Sequence, residues 1–315
     1  INLSVDYYYR KGTDLIGKKL LPLENGFETM TINWASMENK GVEINLQTRN
    51  ITTKKFSWYT TFNFAYNQNK VLKINTPDSQ ETPSLEGYPV GAIFALKTDG
   101  IDSETGRIRV KAKNGKSMFL EDLYKVAIDE WGIGIYTPQV STLEEREFYS
   151  YIGTSDAPYT GGFMNTFNYK FIDLSFNLSY SFGGYSYDNA SYILQDDGYS
   201  VISNKSTEQR RRWQKPGDIT DVPRFVYGNK KGGNYNSSRA IHSTDHIRLK
   251  SLILGLNAPK AWLQKLGIGN ARIYFSGTNL LTWAAYGQYD PEMSGVVGFY
   301  TPPLKTYAFG LELKF

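Results

Sequence analysis

Thr306-Tyr307-Ala308-Phe309-Gly310-Leu311-Glu312-Leu313-Lys314-Phe315 is the stretch that decides the fold. Its odd positions are aromatic or aliphatic, and its even positions are small or charged. A period of two marks an extended strand with two unlike faces. A soluble β-protein rarely leaves a bare Phe at a free end. A strand with one face in lipid and the other in water requires this alternation, so the segment reads as a membrane strand.

Seven further segments carry the same pattern. Residues 1–16 place Leu3, Val5, Tyr7 and Tyr9 on one face, and residues 39–48 place Val42, Ile44 and Leu46 outward. In residues 57–67, Trp58, Phe62, Phe64 and Tyr66 oppose Tyr59, Thr61 and Asn63. Residues 161–170 form a fourth strand. Residues 172–182 alternate most cleanly, with Ile172, Leu174, Phe176, Leu178, Tyr180 and Phe182 set against Asp173, Ser175, Asn177, Ser179 and Ser181. In residues 246–257, Arg248 and Lys250 share a face with Leu252, Leu254 and Leu256. Either a bulge changes the phase there, or the two cations sit above the hydrocarbon layer. Residues 271–281 make the seventh strand.

The connections alternate in length. Those at 51–56, 170–172 and 259–270 are short, and those at 17–38, 72–160, 184–245 and 282–300 are long. Short periplasmic turns and long extracellular loops are the asymmetry of an outer-membrane barrel. A β-sandwich does not accommodate loops of roughly 60 and 90 residues in such a series. The fold expected is all-β: an antiparallel transmembrane β-barrel with long extracellular loops, in the outer membrane of a Gram-negative cell. The inward faces are Ser, Thr, Asn, Gly and scattered charges, which suit a wide, wet or plugged lumen better than a packed eight-stranded interior.

Composition agrees. Aromatic residues make up 15% of the chain, with 24 Tyr and 17 Phe, yet mean hydropathy is −0.44. No stretch of about 18 apolar residues marks a membrane helix. The absence of cysteine excludes a disulfide framework and any Cys-ligated metal site. A net charge of +4, spread along the chain, gives no reason to expect nucleic acid as a partner. Ile1 opens directly into a strand, with no leader before it. The expectation is that residues 1–315 are the C-terminal part of a longer polypeptide whose signal peptide and first part lie elsewhere.

Several stretches resemble the SusC/RagA family of TonB-dependent outer-membrane transporters. Met37-Glu38-Asn39-Lys40-Gly41-Val42-Glu43-Ile44 is similar to that family's "NKGVEI" strand. Gly87-Tyr88-Pro89-Val90-Gly91-Ala92-Ile93-Phe94, followed by Thr98-Asp99-Gly100-Ile101, resembles its "GxPVG … DGI" loop, and Ala157-Pro158-Tyr159-Thr160-Gly161-Gly162-Phe163 its "PxxxGGF" strand entry. Arg212-Trp213-Gln214-Lys215-Pro216-Gly217-Asp218 with Asp221-Val222-Pro223-Arg224 resembles "RWxxPGDxxxxPR". Ile247-Arg248-Leu249-Lys250, Leu254-Gly255-Leu256, Asn279-Leu280 and Tyr289-Asp290-Pro291-Glu292 complete the series in family order. The resemblance implies a barrel of about 22 strands around an N-terminal plug, of which this chain supplies the last eight. It also implies a SusD-like surface lipoprotein as lid, energy from the TonB complex through an N-terminal TonB box outside this chain, and a dimer of transporter–lipoprotein pairs.

Candidate sites are few. His242-Ser243-Thr244-Asp245-His246 superficially resembles an inverted zinc-protease motif, but it runs into a strand, where helical spacing is lost. Asp99-Gly100-Ile101-Asp102-Ser103-Glu104 has acidic spacing, yet counting from Asp102 the closing position of a calcium loop is Lys113. Arg212 and Trp213, with Arg210 and Arg211, are candidates for an anionic-ligand or glycan clamp. The preferred reading is a motif that orders an extracellular loop, or cations that bridge lipopolysaccharide phosphates. Trp131, Tyr136 and Tyr151, in the longest loop, are candidates to face either the lid or the ligand. Tyr7, Tyr9, Trp58 and Trp283 read as membrane-interface girdle residues. With two His and no Cys, no nucleophile–base pair emerges, and neither an enzyme nor a cofactor or metal is expected.

The expected function is active import of oligosaccharides or other nutrient oligomers, with oligopeptides as the alternative cargo. Two other readings compete: a surface glycan-binding β-protein, whose outward faces would pack on a second sheet, and a siderophore-type receptor without a lid.

Overall fold

Alternating side chains leave a strand's backbone groups free to pair on both sides, and eight strands do so here in chain order. A computed structural model describes all residues except 22–23, 25, 76–84, 129–133, 139–146, 196, 199–203, 230–236, 260, 264–266, 294–295 and 299–300. The wall strands, first to eighth, are Asn2–Leu20, Thr29–Thr52, Phe56–Ile74, Tyr159–Tyr169, Ile172–Phe182, His246–Asn257, Asn270–Ala284 and Thr306–Lys314. Each is antiparallel to its sequence neighbour, and the first and eighth strands are the two edges of an open sheet. The connections at 53–55, 170–171 and 258–269 lie at one end, and those at 21–28, 75–158, 183–245 and 285–305 at the other.

The expected long connection at 17–38 is corrected: strand pairing continues through Leu20↔Thr29, so the loop is residues 21–28. The second strand has 24 residues, against about 9–11 needed to cross a bilayer. Residues beyond that span need no lipid-type pattern, so this part of the strand escaped a reading based on that pattern.

Cross-strand register aligns the outward faces into apolar rows. Leu3, Leu46, Phe62, Phe163, Leu178, Leu249 and Leu281 form one row across seven strands. In the next row Gly161 faces Tyr180, whose ring fills the space a Cβ would need and whose hydroxyl donates to the Asn63 carbonyl at 3.0 Å. The sixth strand keeps this phase through a bulge: Ser251 pairs with Asn177 and Leu249 with Leu178, which leaves Lys250 extra. Of the two explanations for Arg248 and Lys250, the bulge is the one found.

No second sheet packs on this face among the described residues; Leu254 is 42% exposed and Phe309 80%. The compact hydrophobic core lies in the long connection 75–158, where Leu96, Ile108, Val110, Ala112, Leu120, Leu123 and Phe148 bury one another. A wall one sheet thick has no interior of its own, so its apolar side chains require lipid.

Leu178 sits mid-row between Phe163 and Leu249. Leu178→Lys should cost about 2–4 kcal/mol if its row lies near the bilayer midplane. Urea unfolding of the protein reconstituted in lipid measures this, and an unchanged midpoint would contradict the orientation.

Candidate functional site

The inward face of the first three strands carries two adjoining polar recesses. One, of about 490 Å³, is lined by Ser4, Asp6, Glu43, Asn45, Gln47 and Asn63 among others. The other, of about 220 Å³, is lined by Tyr8, Arg10, Asn39, Glu43 and Asn67. Hydroxyl, amide and carboxylate groups in alternate positions of neighbouring strands offer a ladder of donors and acceptors to a polar ligand. Sequence reading noted these faces only as polar; the recesses depend on register.

Above the wall, the long connections fold onto one another. Strands Ala92–Leu96 and Tyr149–Thr154 pair, and Thr98–Ile101, Ile108–Lys111 and Ser117–Phe119 form a three-stranded sheet beside them. This unit is tied to the third wall strand by Val71 N–H to the Tyr88 carbonyl (2.8 Å) and by Val90 N–H to Asn69 Oδ1 (2.7 Å). Asp102 caps the turn that follows it, accepting from Thr105 N (2.9 Å) and Thr105 Oγ1 (2.7 Å). Those hydrogen bonds, the side-chain one first, hold the Asp102 carboxyl below its ordinary range.

Trp213 locks the next connection onto this turn. Its indole Nε1 donates to the Ser103 carbonyl at 2.8 Å, and the ring lies over Gly106. Gly106 has φ +69°, and a Cβ there would stand 2.5 Å from the ring, so both conformation and space call for glycine. Arg224 N–H reaches the Gly106 carbonyl (2.9 Å), and its guanidinium meets Glu121 (3.1 Å), which also pairs with Arg107 (2.8 Å). Asp218 accepts from Gln214 and Lys215 backbone N–H, which lowers its pKa. The stretch 212–224 is therefore a clasp between two loops. Arg212 itself is exposed and donates to the Gln209 carbonyl at 3.2 Å.

A second junction joins the sixth strand to connection 285–305. Arg248, 1% exposed, grips Asp290 with both oxygens at 2.6 Å and Glu292 at 2.9 Å; Lys250 meets Glu292 at 2.6 Å. His246 gives Nδ1 to the Thr244 carbonyl (2.8 Å), with Nε2 3.6 Å from Glu292. His242, in strand Ile241–Ser243, stacks on Tyr286 at 3.7 Å instead of facing His246. Tyr286 donates to Asp188 (3.0 Å), which also caps helix Asn189–Leu194 through Ser191 N (2.9 Å). Sequence reading quoted Arg248 and Asp290–Glu292 in separate motifs and missed their union, and it did not single out Asp188 or Tyr286.

The remaining candidates divide. Tyr151 packs with Tyr88 and Phe94 at ring distances of 5.1 and 5.9 Å, and burial raises its pKa. Tyr136 belongs to the short strand Gly134–Pro138, with its side chain outside the described residues. Trp131 lies outside the described residues altogether.

Comparison with known proteins shows what the chain is similar to. No family model matches the chain. Over its whole length it is 29% identical to TonB-dependent receptor P3 of Formosa agariphila, covering 32% of that protein. Over 99% of its length it is 25% identical to TonB-dependent receptor SusC of Bacteroides thetaiotaomicron, covering 30% of it. The solved structure of the RagAB peptide transporter matches 99% of the chain at 26% identity and TM-score 0.80, with 33% of that structure's chain covered. Over nearly its whole length the chain is thus similar to TonB-dependent receptors, SusC among them, and to the RagAB transporter structure. It spans about a third of the length of these relatives.

Burial, opposed by Asp188 and reinforced by Arg239, pulls the pKa of His242 below its ordinary value in the folded loops. A depressed folded value means that protons favour the unfolded loop, so stability is full above the unfolded pKa of about 6.5 and falls as pH drops below it. Protease resistance of the loops of this protein should decline between about pH 7 and 5. His242→Phe, which keeps the stack on Tyr286, should remove that step; an identical pH profile in the variant would contradict the assignment.

Proposed function

We propose that this chain is the C-terminal part of the barrel of an outer-membrane active importer of oligosaccharides or other nutrient oligomers. The observation that carries this reading is the open, single-layer wall: apolar outside, hydrogen-bonding inside, and capped at one end by a folded loop layer. Backbone groups at an edge have no partner in lipid, at several kcal/mol each. The first and eighth strands therefore pair with earlier strands of the same transporter, which also carries the plug and the TonB box. TonB supplies the energy, and this chain's residues act by shape and hydrogen bonding without a chemical step.

In this reading the loop layer is extracellular and meets a SusD-like lipoprotein lid, and two transporter–lipoprotein pairs form a dimer. Arg212 and Ile219 on the clasp, with Arg210, Arg211 and Tyr227 flanking it in sequence, are exposed and form the lid-facing surface. Trp131 and Tyr136 remain candidates for ligand contact from the longest loop. Oligopeptide import is the second reading, favoured by the likeness to the RagAB peptide importer. Growth of a deletion strain on defined glycans and on defined peptides separates the two cargo classes; growth unimpaired on every one would contradict both.

This chain has no cysteine. A membrane-impermeant maleimide should label a cysteine introduced at Glu104 on intact cells, and one at Lys54 only after the outer membrane is opened. The reverse pattern would invert the topology.

A further inference from the structure

The outward face of the wall is grooved at its short-turn end. Connection 258–269 makes one helical turn, in which the Pro259 carbonyl accepts from Trp262 N at 3.0 Å and from Leu263 N at 3.4 Å. Leu263 is 5% exposed, whereas its neighbour Trp262 is 67% exposed and stands off the wall. Between Trp262 and Phe171, Leu256, Ile273 and Leu311 lies an apolar groove of about 450 Å³. Leu256, Ile273 and Leu311 form one outward row. Asn257, at the lip, turns its amide away to Asp173 at 2.8 Å, so the groove offers almost nothing to a polar guest.

Its rim is basic. Lys170 directly precedes Phe171 in the tight turn, and its ammonium lies 5.3 Å from the ring centroid of Tyr169, an outward residue. Lys170 N–H donates to the Lys55 carbonyl at 2.9 Å, which brings the turn holding Lys54 and Lys55 alongside. Asp173 and Glu312, the side-chain carboxylates of the strands that line the groove, are both engaged by Arg272 on the inner face. Lys54, Lys55 and Lys170 are exposed, and none of them takes part in a salt bridge among the described residues.

We infer that this groove binds an anionic phospholipid of the leaflet on the short-turn side. An acyl chain lies along Leu256, Ile273, Leu311 and Trp262, and the phosphate meets Lys170 and Lys55. Charge complementarity selects this occupant: apolar groove, interfacial Trp and unopposed lysines match the parts of an acidic lipid in their order of depth. A zwitterionic lipid would gain the groove without the charge. The inference rests on the membrane orientation proposed above.

The test uses the intact transporter carrying this chain, in phosphatidylcholine nanodiscs doped with brominated phosphatidylglycerol or brominated phosphatidylcholine. Fluorescence quenching of Trp262 is read as the difference between the protein and its Trp262→Phe variant. Brominated phosphatidylglycerol should quench it at about fivefold lower mole fraction, about 1 kcal/mol, the contribution of one Lys near an anionic surface. That preference should vanish in Lys55→Gln/Lys170→Gln, with quenching by the brominated phosphatidylcholine retained. Equal quenching by both lipids would reduce the groove to bulk lipid contact and overturn the inference. So would an unquenched Trp262 beside quenched Trp58 and Trp283. Tryptophans that are all unquenched would overturn the membrane orientation as well.

Discussion

Hydrocarbon offers no partner to a backbone N–H or C=O, and the rest of this chain is arranged around that lack. Each wall strand meets it by pairing with its neighbours in sequence, from Asn2↔Gln47 at one side to Asn270↔Lys314 at the other. Strict pairing then fixes where side chains go. Apolar residues align in rows that run across strands, and polar residues line the opposite face. Where the sixth strand has to turn Arg248 inward without losing its leucine face, a single extra residue at Lys250 absorbs the change of phase. The same constraint leaves the two edges of the open sheet as the places where backbone groups still need a partner.

A wall without an interior transfers the work of burial to the loops. The cluster around Phe148 gives the longest connection a small core of its own, and polar junctions then hold the connections together. Trp213 over Gly106 fastens one pair, and Arg248 between Asp290 and Glu292 fastens another. Breaking a buried pair such as Arg248–Asp290 by removing one partner leaves a charge uncompensated, which costs about 3–5 kcal/mol. The loop layer is therefore a folded cap, held by contacts between segments far apart in sequence.

Sequence pattern carried the wall well and the cap poorly, for a physical reason. In residues 172–182 lipid and water impose opposite demands on alternate positions, and the strand bounds read from that pattern are those observed. Above the bilayer the demand disappears, so the hairpin through residues 17–38 read as loop although it is largely strand. Trp213 was visible as part of a motif, but its partner carbonyl at Ser103 lies 110 positions away. The same holds for Arg248 and Asp290, separated by 42. The groove beside Trp262 depends on a single helical turn after Pro259, too short to leave a periodic signal.

The account turns on the fifth strand having lipid on one side and water on the other. Nitroxide labels placed singly along Ile172–Phe182 of the protein in a bilayer measure this through collision with oxygen and with a polar nickel chelate. Labels at Ile172, Leu174, Phe176, Leu178 and Tyr180 should favour oxygen. Those at Asp173, Ser175, Asn177, Ser179 and Ser181 should favour the chelate, in strict alternation. Equal accessibility at odd and even positions, or the opposite phase, would contradict the account.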